Sequence, residues 1–375
     1  MYFRFARVYW ARWLFSTEMN VKNFIITTIA LAFCLGANAQ YNPQKTDAWL
    51  EENATEMGGR VALVVWHDGH IVYSHAANNL SMKQKFIDRA IARRQGKTAD
   101  LNDFTPTTRV PIASCSKWLS AALVMTFVDD GKLKLTDTVG KYLPVLSQHG
   151  KGSITISECL SHLTGIKAPG LKENIKDVRE AASMDDAIET IAGMPMEGKP
   201  GKVFHYSNEG LQIAGAILEK ITGKSFETLF AERIAGPLNM KNTDFGHVKV
   251  ALPAGGAYST AEDYLNFLVM VLNKGVFNGK RILSENSVNL MQVDRCTPDV
   301  KIAYKPEEAG NFGYGYGEWV LGPGVVSSPG LFGSFPWIDN NKKYAAFMMT
   351  YYIKSSGRHE RYLAIKTTVD EAIRK

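Results

Sequence analysis

The sequence predicts an α/β protein of the α+β type, with a mixed, mainly antiparallel sheet flanked by helices. Runs rich in β-branched and aromatic residues stand near both ends of the chain, and the stretch between them carries helix caps and helical periodicity. One sheet built from both chain ends, with an all-helical subdomain inserted, accounts for both observations. We predict a single domain over residues 40–375, with its α/β part at about 55–125 and 300–375 and its helical part at about 126–299.

Local signals predict the elements of the first third. Asp68-Gly69 separates two β-rich runs and predicts a hairpin turn. Residues 78–108 are polar with clustered Lys and Arg, which is typical of a loop and a solvated helix. The run 114–128 is apolar nearly all round and has no helix breaker before Gly131, so we expect a buried helix there.

The rest of the chain carries similar signals. Thr155-x-x-Glu158 and Thr260-x-x-Asp263 resemble capping boxes ahead of apolar periodic runs. Further helices are predicted at 209–221, 226–234 and 361–373. Strands are predicted at 317–320, 325–326, 332–338 and 344–352.

Charge and composition exclude several kinds of partner. The formal net charge is +6, and residues 1–39 hold four basic residues and one acidic residue, which leaves about +3 for the rest. So small and scattered a charge does not indicate nucleic acid as a partner. The eight histidines are scattered and paired-cysteine motifs are absent, so we predict neither a metal site nor a cofactor.

Residues 1–39 are predicted to be a secretion signal. Lys22 precedes the apolar run 24–33, which is too short to span a bilayer comfortably, and Ala37-Asn38-Ala39 gives a small-x-small cleavage pattern. The mature protein would then begin at Gln40, without a stable membrane span. We expect it to be exported to the periplasm or to the outside of the cell.

Two alternatives concern the same segment. Residues 1–18 are unusual for a signal, and Met19 is a second candidate for the true start. A lipid anchor on Cys34 is the rival to cleavage, but the bulky Phe33 before it disfavours this.

Three cysteines remain after the predicted signal, and an odd number leaves at least one free thiol. Cys115 is expected to be a small core residue and not a nucleophile, because no paired histidine is indicated. The sequence does not determine whether Cys159 and Cys296 pair.

Ser114 and Lys117 are the first candidate catalytic residues. They stand three positions apart at the start of a predicted helix, so their side chains share one face. A serine hydroxyl needs a base to take its proton, and apolar surroundings lower the pKa of a lysine enough to help. The helix N-terminus also favours an oxyanion. A helix cap followed by a surface lysine gives the same pattern, so further motifs must decide.

Tyr206 and Asn208 are the second candidate pair. They lie just before the predicted helix 209–221 and after the turn at Pro200-Gly201. A tyrosine near Lys117 is suited to act as a phenolate base, and an asparagine amide is suited to hold Lys117 or a substrate carbonyl. A packed tyrosine and an asparagine cap are the structural alternative.

Four stretches in order carry a family resemblance: 110–117, 154–165, 204–210 and 254–263. From about residue 55 to the C-terminus the chain resembles the β-lactamase-related serine hydrolases, which include class C β-lactamases, D-Ala-D-Ala peptidases, esterases and acyltransferases. The resemblance implies the fold shared by β-lactamases and penicillin-binding proteins. It is specific for the family and not for the substrate.

The resemblance also implies roles by matched position. Ser114 resembles the acylated nucleophile of the family. Lys117 and Tyr206 resemble the pair that takes its proton and passes it to the leaving group. Asn208 resembles the polar residue that orients them.

The third motif departs from the family pattern. In the matching stretch 327–333, Gly330 fits, and the N–H groups of Leu331 and Ser114 would form an oxyanion hole. Ser328 occupies the position where β-lactamases and peptidases have a carboxylate-binding lysine and esterases often have His or Trp. A charge-assisted hydrogen bond contributes ~1.5–3 kcal/mol, so its absence disfavours turnover of β-lactams and D-Ala-D-Ala peptides. Six nearby aromatic residues are candidates for an apolar lining, of which about half are expected to be core: Tyr314, Tyr316, Trp319, Phe332, Phe335 and Trp337.

The leading hypothesis is a secreted serine hydrolase that works through an acyl-enzyme on Ser114. Its substrate would be an ester or another small acyl compound, and in an acyltransferase variant an alcohol would replace water. The alternatives are a β-lactamase or D-Ala-D-Ala carboxypeptidase acting on a β-lactam or a peptide, and a penicillin-binding-type sensor without turnover. No Gly-x-Ser-x-Gly elbow is present, which argues against an α/β-hydrolase. The oligomeric state is not indicated.

Overall fold

The structure is a computed structural model that describes residues 41–94, 96, 98–169, 181–246 and 248–373. The predicted secretion signal at 1–39, the start at Met19 and the anchor on Cys34 lie outside the described residues. Strands and helices are labelled in chain order. The strands are β1 (Arg60–His67), β2 (His70–Asn78), β3 (Val110–Pro111), β4 (Val203–His205), β5 (Tyr258–Ser259), β6 (Val276–Phe277), β7 (Lys280–Arg281), β8 (Lys301–Tyr304), β9 (Gly313–Tyr314), β10 (Trp319–Gly322), β11 (Val325–Ser327), β12 (Phe335–Asp339) and β13 (Tyr344–Thr350). The α-helices are α1 (Gln44–Asn53), α2 (Met82–Arg94), α3 (Ser116–Asp129), α4 (Pro144–Gln148), α5 (Ile156–Leu160), α6 (Met184–Gly193), α7 (Glu209–Thr222), α8 (Phe226–Phe230), α9 (Ala261–Leu272), α10 (Glu285–Met291) and α11 (Arg358–Ala372).

A seven-stranded sheet joins the two ends of the chain. Its strand order is β2-β1-β13-β12-β11-β10-β9, and all neighbouring strands are antiparallel. β1 pairs with β13 from Val61 opposite Thr350 to His67 opposite Tyr344. The prediction of one sheet built from both chain ends is therefore confirmed.

The predicted local signals act as expected. The β1–β2 hairpin turns at Asp68 and Gly69, whose φ angles are 48° and 88°. Both central residues of this turn thus adopt the positive φ that Asp-Gly tolerates. The Thr155 side chain and Glu158 form a complete capping box at α5, and helix α2 has no buried residue, as a solvated helix should.

Helices cover both faces of the sheet. Side chains of β1 alternate between two clusters, so that Val64 packs with α3, α7 and α9, whereas Leu63 packs with α1 and α11. Helix α3 is buried over nearly all its length, which agrees with its apolar character all round. Contacts join Tyr41–Lys375 into one unit.

Two of the element boundaries that differ from the prediction have a clear cause in the backbone. The helix predicted from residue 114 begins at Ser116, because Ala113–Cys115 forms a 3₁₀ turn in which Ala113 has a φ of 46°. The strand predicted at 332–338 begins at Phe335, because Gly333 has a φ of 87°, which an extended strand does not accommodate. Both differences arise at positive φ angles that the local sequence does not require.

The described ranges hold features that bear on membrane, metal and thiol chemistry. No helix there has both the length and the apolar character needed to cross a membrane. In the same ranges no three His, Cys, Asp or Glu side chains are grouped so that they could hold a metal ion. Cys115, Cys159 and Cys296 are free thiols. Burial raises the pKa of Cys115, as expected of a core residue.

Candidate active site

The turn that carries Ser114 is fixed from several sides. It lies between β3, which pairs with β5, and the start of α3. The Ser116 hydroxyl accepts a hydrogen bond from the Ala257 N–H at 3.0 Å, and the Tyr264 hydroxyl donates to the Cys115 carbonyl at 2.8 Å. These contacts hold Ser114, which is partly exposed, in one position at the surface of the core.

Lys117 lies at the centre of the site. Its Nζ is 3.2 Å from the Ser114 Oγ, and it donates to the Asn208 Oδ1 at 3.1 Å and to the Ala254 carbonyl at 2.8 Å. Burial lowers the pKa of Lys117 from 10.5 to about 7, although the nearby Glu209 acts in the opposite direction. A neutral amine has two N–H donors and one lone pair. The Asn208 Oδ1 and the Ala254 carbonyl accept the two N–H bonds of this amine. The lone pair can then accept the Ser114 proton.

Tyr206 contacts both of these residues. Its hydroxyl is hydrogen-bonded to Ser114, and the Lys117 Nζ lies 4.8 Å from the centre of its ring. Burial raises the pKa of Tyr206 by more than the hydrogen bond to Ser114 lowers it. The phenol therefore keeps its proton at neutral pH. This favours the Lys117 amine as the base, with Tyr206 as a proton donor instead of the predicted phenolate.

Three rings surround Tyr206. The ring of His162 lies 4.7 Å from it between centroids, that of Trp319 lies 5.1 Å away and that of Tyr314 lies 5.9 Å away. Sequence reasoning anticipated Tyr314 and Trp319 as lining residues but gave His162 no role. The sequence signal that could have identified His162 is its place in the stretch 154–165, which carries part of the family resemblance.

Ser328 does not face the open side of the site. It is 1% exposed, and its hydroxyl donates to the Gly317 carbonyl at 3.0 Å and to the Ser114 carbonyl at 3.3 Å. A hydroxyl has one proton, which these two backbone oxygens share. The predicted contact of Ser328 with substrate therefore has no geometric support, and its side chain ties the end of β11 to the turn that carries Ser114.

Gly330 and Leu331 have surroundings that suit their expected parts. A Cβ on Gly330 would lie 2.4 Å from the Ile112 carbonyl oxygen, so only glycine allows this close approach of two backbones. In the described part of the chain no hydrogen bond uses the Leu331 N–H as donor. The Ser114 N–H lies in the first turn of a helical segment, where N–H groups lack acceptors within the helix.

Two of the six aromatic candidates lie on the wrong face of the sheet. Phe335 stacks on Tyr362 of α11 at 4.2 Å between centroids, and Trp337 stacks on Phe335 at 5.0 Å. They belong to the cluster shared with α1 and α11, away from Lys117. They are therefore core residues and not lining residues, because the alternation of β12 turns them to the other side; about half of the six candidates were expected to be core. Tyr316 is buried and its hydroxyl is hydrogen-bonded to that of Ser157, whereas Phe332 is partly exposed and contacts Tyr351.

Two buried carboxyl groups were not anticipated. Glu209 is 1% exposed, and its Oε2 accepts the Asn208 N–H at 3.0 Å, directly behind the Lys117 partner. Glu318 is fully buried, and neither of its carboxyl oxygens has a hydrogen-bond partner among the described residues. Burial raises the pKa of Glu318 well above 4.5, because a charged carboxylate is costly to bury. Acidic residues are seldom fully buried, which is why composition and pattern do not reveal them.

The class of protein follows from this fold and site together with comparison to known families. The family model described as Beta-lactamase matches residues 50–367, so the chain belongs to the β-lactamase family. A provisionally named beta-lactamase from Bacteroides dorei DSM 17855 superposes with a TM-score of 0.73 at 26% identity, covering 89% of this chain and 99% of that one.

Other similar proteins match at lower identity or over a smaller part of the chain. The structure described as "EstCE1, a hydrolase with promiscuous acyltransferase activity" is 19% identical with a TM-score of 0.68 and covers 87% of this chain and 98% of that one. A family VIII carboxylesterase is 16% identical with a TM-score of 0.67, covering 87% and 97%. Protein Rv1367c of Mycobacterium tuberculosis (strain ATCC 25618 / H37Rv) is 26% identical over 242 residues, which are 51% of this chain and 60% of that protein. The chain thus matches less than two thirds of the length of this curated relative.

Proposed function

We propose that this protein is a serine hydrolase that forms an acyl-enzyme on Ser114 and acts on small neutral esters, with alcohols as alternative acyl acceptors. The observation that carries the proposal is the position of Lys117. Its amine lies 3.2 Å from the Ser114 Oγ, and burial brings its pKa to about 7. A serine hydroxyl beside a buried neutral amine is an activated nucleophile of the kind that acyl transfer requires, because the amine can take its proton.

In the proposed acylation step, the Ser114 Oγ attacks the acyl carbon and its proton moves to the Lys117 amine. The negative charge that develops on the carbonyl oxygen is stabilised by the N–H groups of Ser114 and Leu331. The tetrahedral intermediate then expels the alcohol, whose oxygen takes a proton from the Tyr206 phenol. Lys117 returns its extra proton to Tyr206, so both groups regain their starting states.

Deacylation repeats these steps with water. Water attacks the acyl carbon and gives one proton to Lys117, and the Ser114 oxygen leaves and is protonated through Tyr206. The products are a carboxylic acid and free enzyme. An alcohol in place of water would give a new ester, which is the acyltransferase reaction.

The preference for neutral substrates is supported by the charges near the site. Lys305, which lies 5.7 Å from the ring of Trp319, donates to the carbonyls of Phe312 and Gly310. Arg109 is paired with Asp244 and bonded to the Asn242 carbonyl. Both cations are committed to partners within the chain, and Ser328 supplies no charge. A carboxylate on the substrate would therefore gain little from them.

The names of two structural neighbours agree with an ester substrate. One is described as a hydrolase with promiscuous acyltransferase activity and the other as a carboxylesterase. Both are less than 25% identical to this chain, so they support the fold and only suggest the substrate class.

The test uses the purified protein from residue 41 onward with nitrophenyl acetate and butyrate, nitrocefin and a D-Ala-D-Ala peptide. Turnover of the esters, with an acyl adduct on Ser114 detected by mass spectrometry, is the expected result. Ser114→Ala should lose both activity and adduct, whereas Ser120→Ala is the matched control. Ser120 lies further along the same helix, and its hydroxyl donates to the Pro253 carbonyl and not to Ser114. Nitrocefin turnover exceeding ester turnover would replace this proposal with a β-lactamase.

Acyl transfer is tested in the same assay by adding butanol. A butyl ester that forms in proportion to the alcohol, while release of nitrophenol continues, supports the transferase activity. Formation of free acid alone limits the protein to hydrolysis.

Export is inferred from the sequence of residues 1–39. We propose that cleavage after Ala39 releases the mature protein. N-terminal sequencing of the protein recovered from the periplasm or the medium should begin at Gln40. Recovery only from the cytosol with an intact N-terminus would contradict it.

A further inference from the structure

His162 has an unusual place beside the proposed catalytic tyrosine. It is 1% exposed and its φ is 59°, in the left-handed region that non-glycine residues seldom occupy. Such a backbone persists only where the surroundings impose it, and it is found most often at functional sites. The proposed acylation and deacylation steps give this residue no part.

His162 holds the chain on both sides of Tyr206. Its carbonyl accepts the His205 N–H at 3.0 Å, and its Nδ1 accepts the Ser207 N–H at 3.4 Å. The residues before and after Tyr206 are thus both bonded to one residue. The imidazole ring also lies against the ring of Tyr206, at 4.7 Å between centroids.

These contacts determine the state of the imidazole. Because Nδ1 accepts a backbone N–H, the single proton of a neutral ring is on Nε2. Nε2 lies 3.0 Å from the Tyr314 hydroxyl, so it donates to that oxygen. Burial lowers the pKa of His162 well below 6.5, and the charge of Lys117 lowers it further, so the neutral form is the one present.

We propose that His162 is a positioning residue that acts through Tyr206. It fixes the backbone on both sides of the tyrosine and one face of its ring, and so sets the distance from the phenol hydroxyl to Ser114. The inference rests on the proposed function, because it concerns proton delivery at the same site.

The test compares three single variants. His162→Phe keeps a ring but removes both the acceptor for the Ser207 N–H and the donor to Tyr314. We expect kcat for ester hydrolysis to fall about 10- to 100-fold and KM to change less than about threefold, because misplacing a catalytic group affects the chemical step. In His162→Asn, the Oδ1 reaches nearly as far as Nδ1 and asparagine tolerates positive φ, so kcat should stay within about fivefold of the wild type. His149→Phe, at an exposed histidine, is the control and should have wild-type kcat.

A double-mutant comparison separates positioning from general damage. In the Tyr206→Phe background, His162→Phe should reduce kcat by less than about threefold more, because the hydroxyl it positions is already absent. Equal losses in both backgrounds, or a change in KM alone, would overturn the inference. If Tyr206→Phe itself retains full activity, the proposed function fails first. Urea denaturation of each variant identifies any that fail to fold. If His162→Phe does not fold, His162→Asn provides the test. A kcat for His162→Asn as low as that of Tyr206→Phe would then refute the positioning role.

Discussion

Replacing Lys117 with methionine should change how the stability of the protein depends on pH. Methionine is similar in length and does not titrate. In the folded protein, burial lowers the pKa of Lys117 from 10.5 to about 7. Below pH 7 both the folded and the unfolded chain bind the proton, and the folded state bears the full cost of a buried charge. Between pH 7 and 10.5 only the unfolded chain binds it, so stability rises with pH, and above 10.5 this cost is absent.

The size of the effect follows from the two pKa values. One pKa unit corresponds to ~1.4 kcal/mol, so the difference between 10.5 and about 7 corresponds to about 5 kcal/mol in total. Lys117 is 1% exposed, so solvent screening does not reduce this figure greatly. Between pH 7 and pH 9 the wild type should gain ~2 kcal/mol of unfolding free energy relative to Lys117→Met.

Urea denaturation at pH 7, 8 and 9 measures this difference. Subtracting the two proteins removes the contribution of every group that titrates equally in both. Ser114→Ala serves as the control, because it alters the site but leaves the amine in place, and its stability should rise with pH as the wild type's does. Parallel curves for the wild type and Lys117→Met would refute the reasoning, since they would mean that the pKa of Lys117 is not lowered.

Four further outcomes follow from the site. The wild-type kcat/KM for a neutral ester, corrected with Ser114→Ala as blank, should rise with pH through about 7 as Lys117 loses its proton, and a fall over pH 6 to 8 would contradict Lys117 as base. Lys117→Ala and Tyr206→Phe should each cost about 10³-fold in kcat and the double variant little more, whereas losses that multiply would show independent action. Ser328→Lys should lower the urea midpoint without creating nitrocefin turnover, because it buries an amine in the place of a hydroxyl that donates to two backbone carbonyls. A stable variant that turns over nitrocefin would restore the predicted contact of this position with substrate. Glu318→Leu should raise the melting temperature in calorimetry, because it removes a buried carboxyl group with no hydrogen-bond partner among the described residues. A lowered melting temperature would contradict this and would mean that the carboxyl group makes a stabilising interaction.

Much of the fold could be predicted because its signals are local. Asp68-Gly69 supplies positive φ wherever it occurs between strands, and Thr155 caps α5 through residues of its own first turn. The sheet formed by both chain ends is a long-range feature. It could be predicted only because β-rich runs at the two chain ends have few ways to bury their apolar faces other than pairing in one sheet.

The turn that carries Ser114 shows that local sequence signals do not record backbone conformations imposed by distant residues. Ala113 adopts a φ of 46° although alanine does not favour it. The turn is imposed by contacts with distant parts of the chain, through the Ala257 N–H on Ser116 and the Tyr264 hydroxyl on Cys115. No pattern within residues 110–117 records those partners, so Ser114 was expected to begin the helix and not to precede it.

The candidate site shows the same division. The spacing of Ser114 and Lys117, with the resemblance that added Tyr206 and Asn208, named four residues that lie within contact of one another. His162 was not named, because a single histidine in an apolar stretch gives no sign of what it faces. Its two bonds to the neighbours of Tyr206 depend on how residues 162 and 205–207 come together in space.

At Ser328 the structure does not support the substrate contact that matching by sequence predicted, because of the orientation of one side chain. A strand turns alternate residues to opposite faces, so a motif residue keeps its role only if the backbone keeps its register. β11 ends at Ser327, and Pro329 follows Ser328 without an N–H to continue the pairing. The Ser328 hydroxyl reaches the carbonyls of Gly317 and Ser114 from this end of the strand. In this chain the Ser328 side chain supports the turn that carries Ser114, so under the proposed function specificity must come from other groups around Ser114.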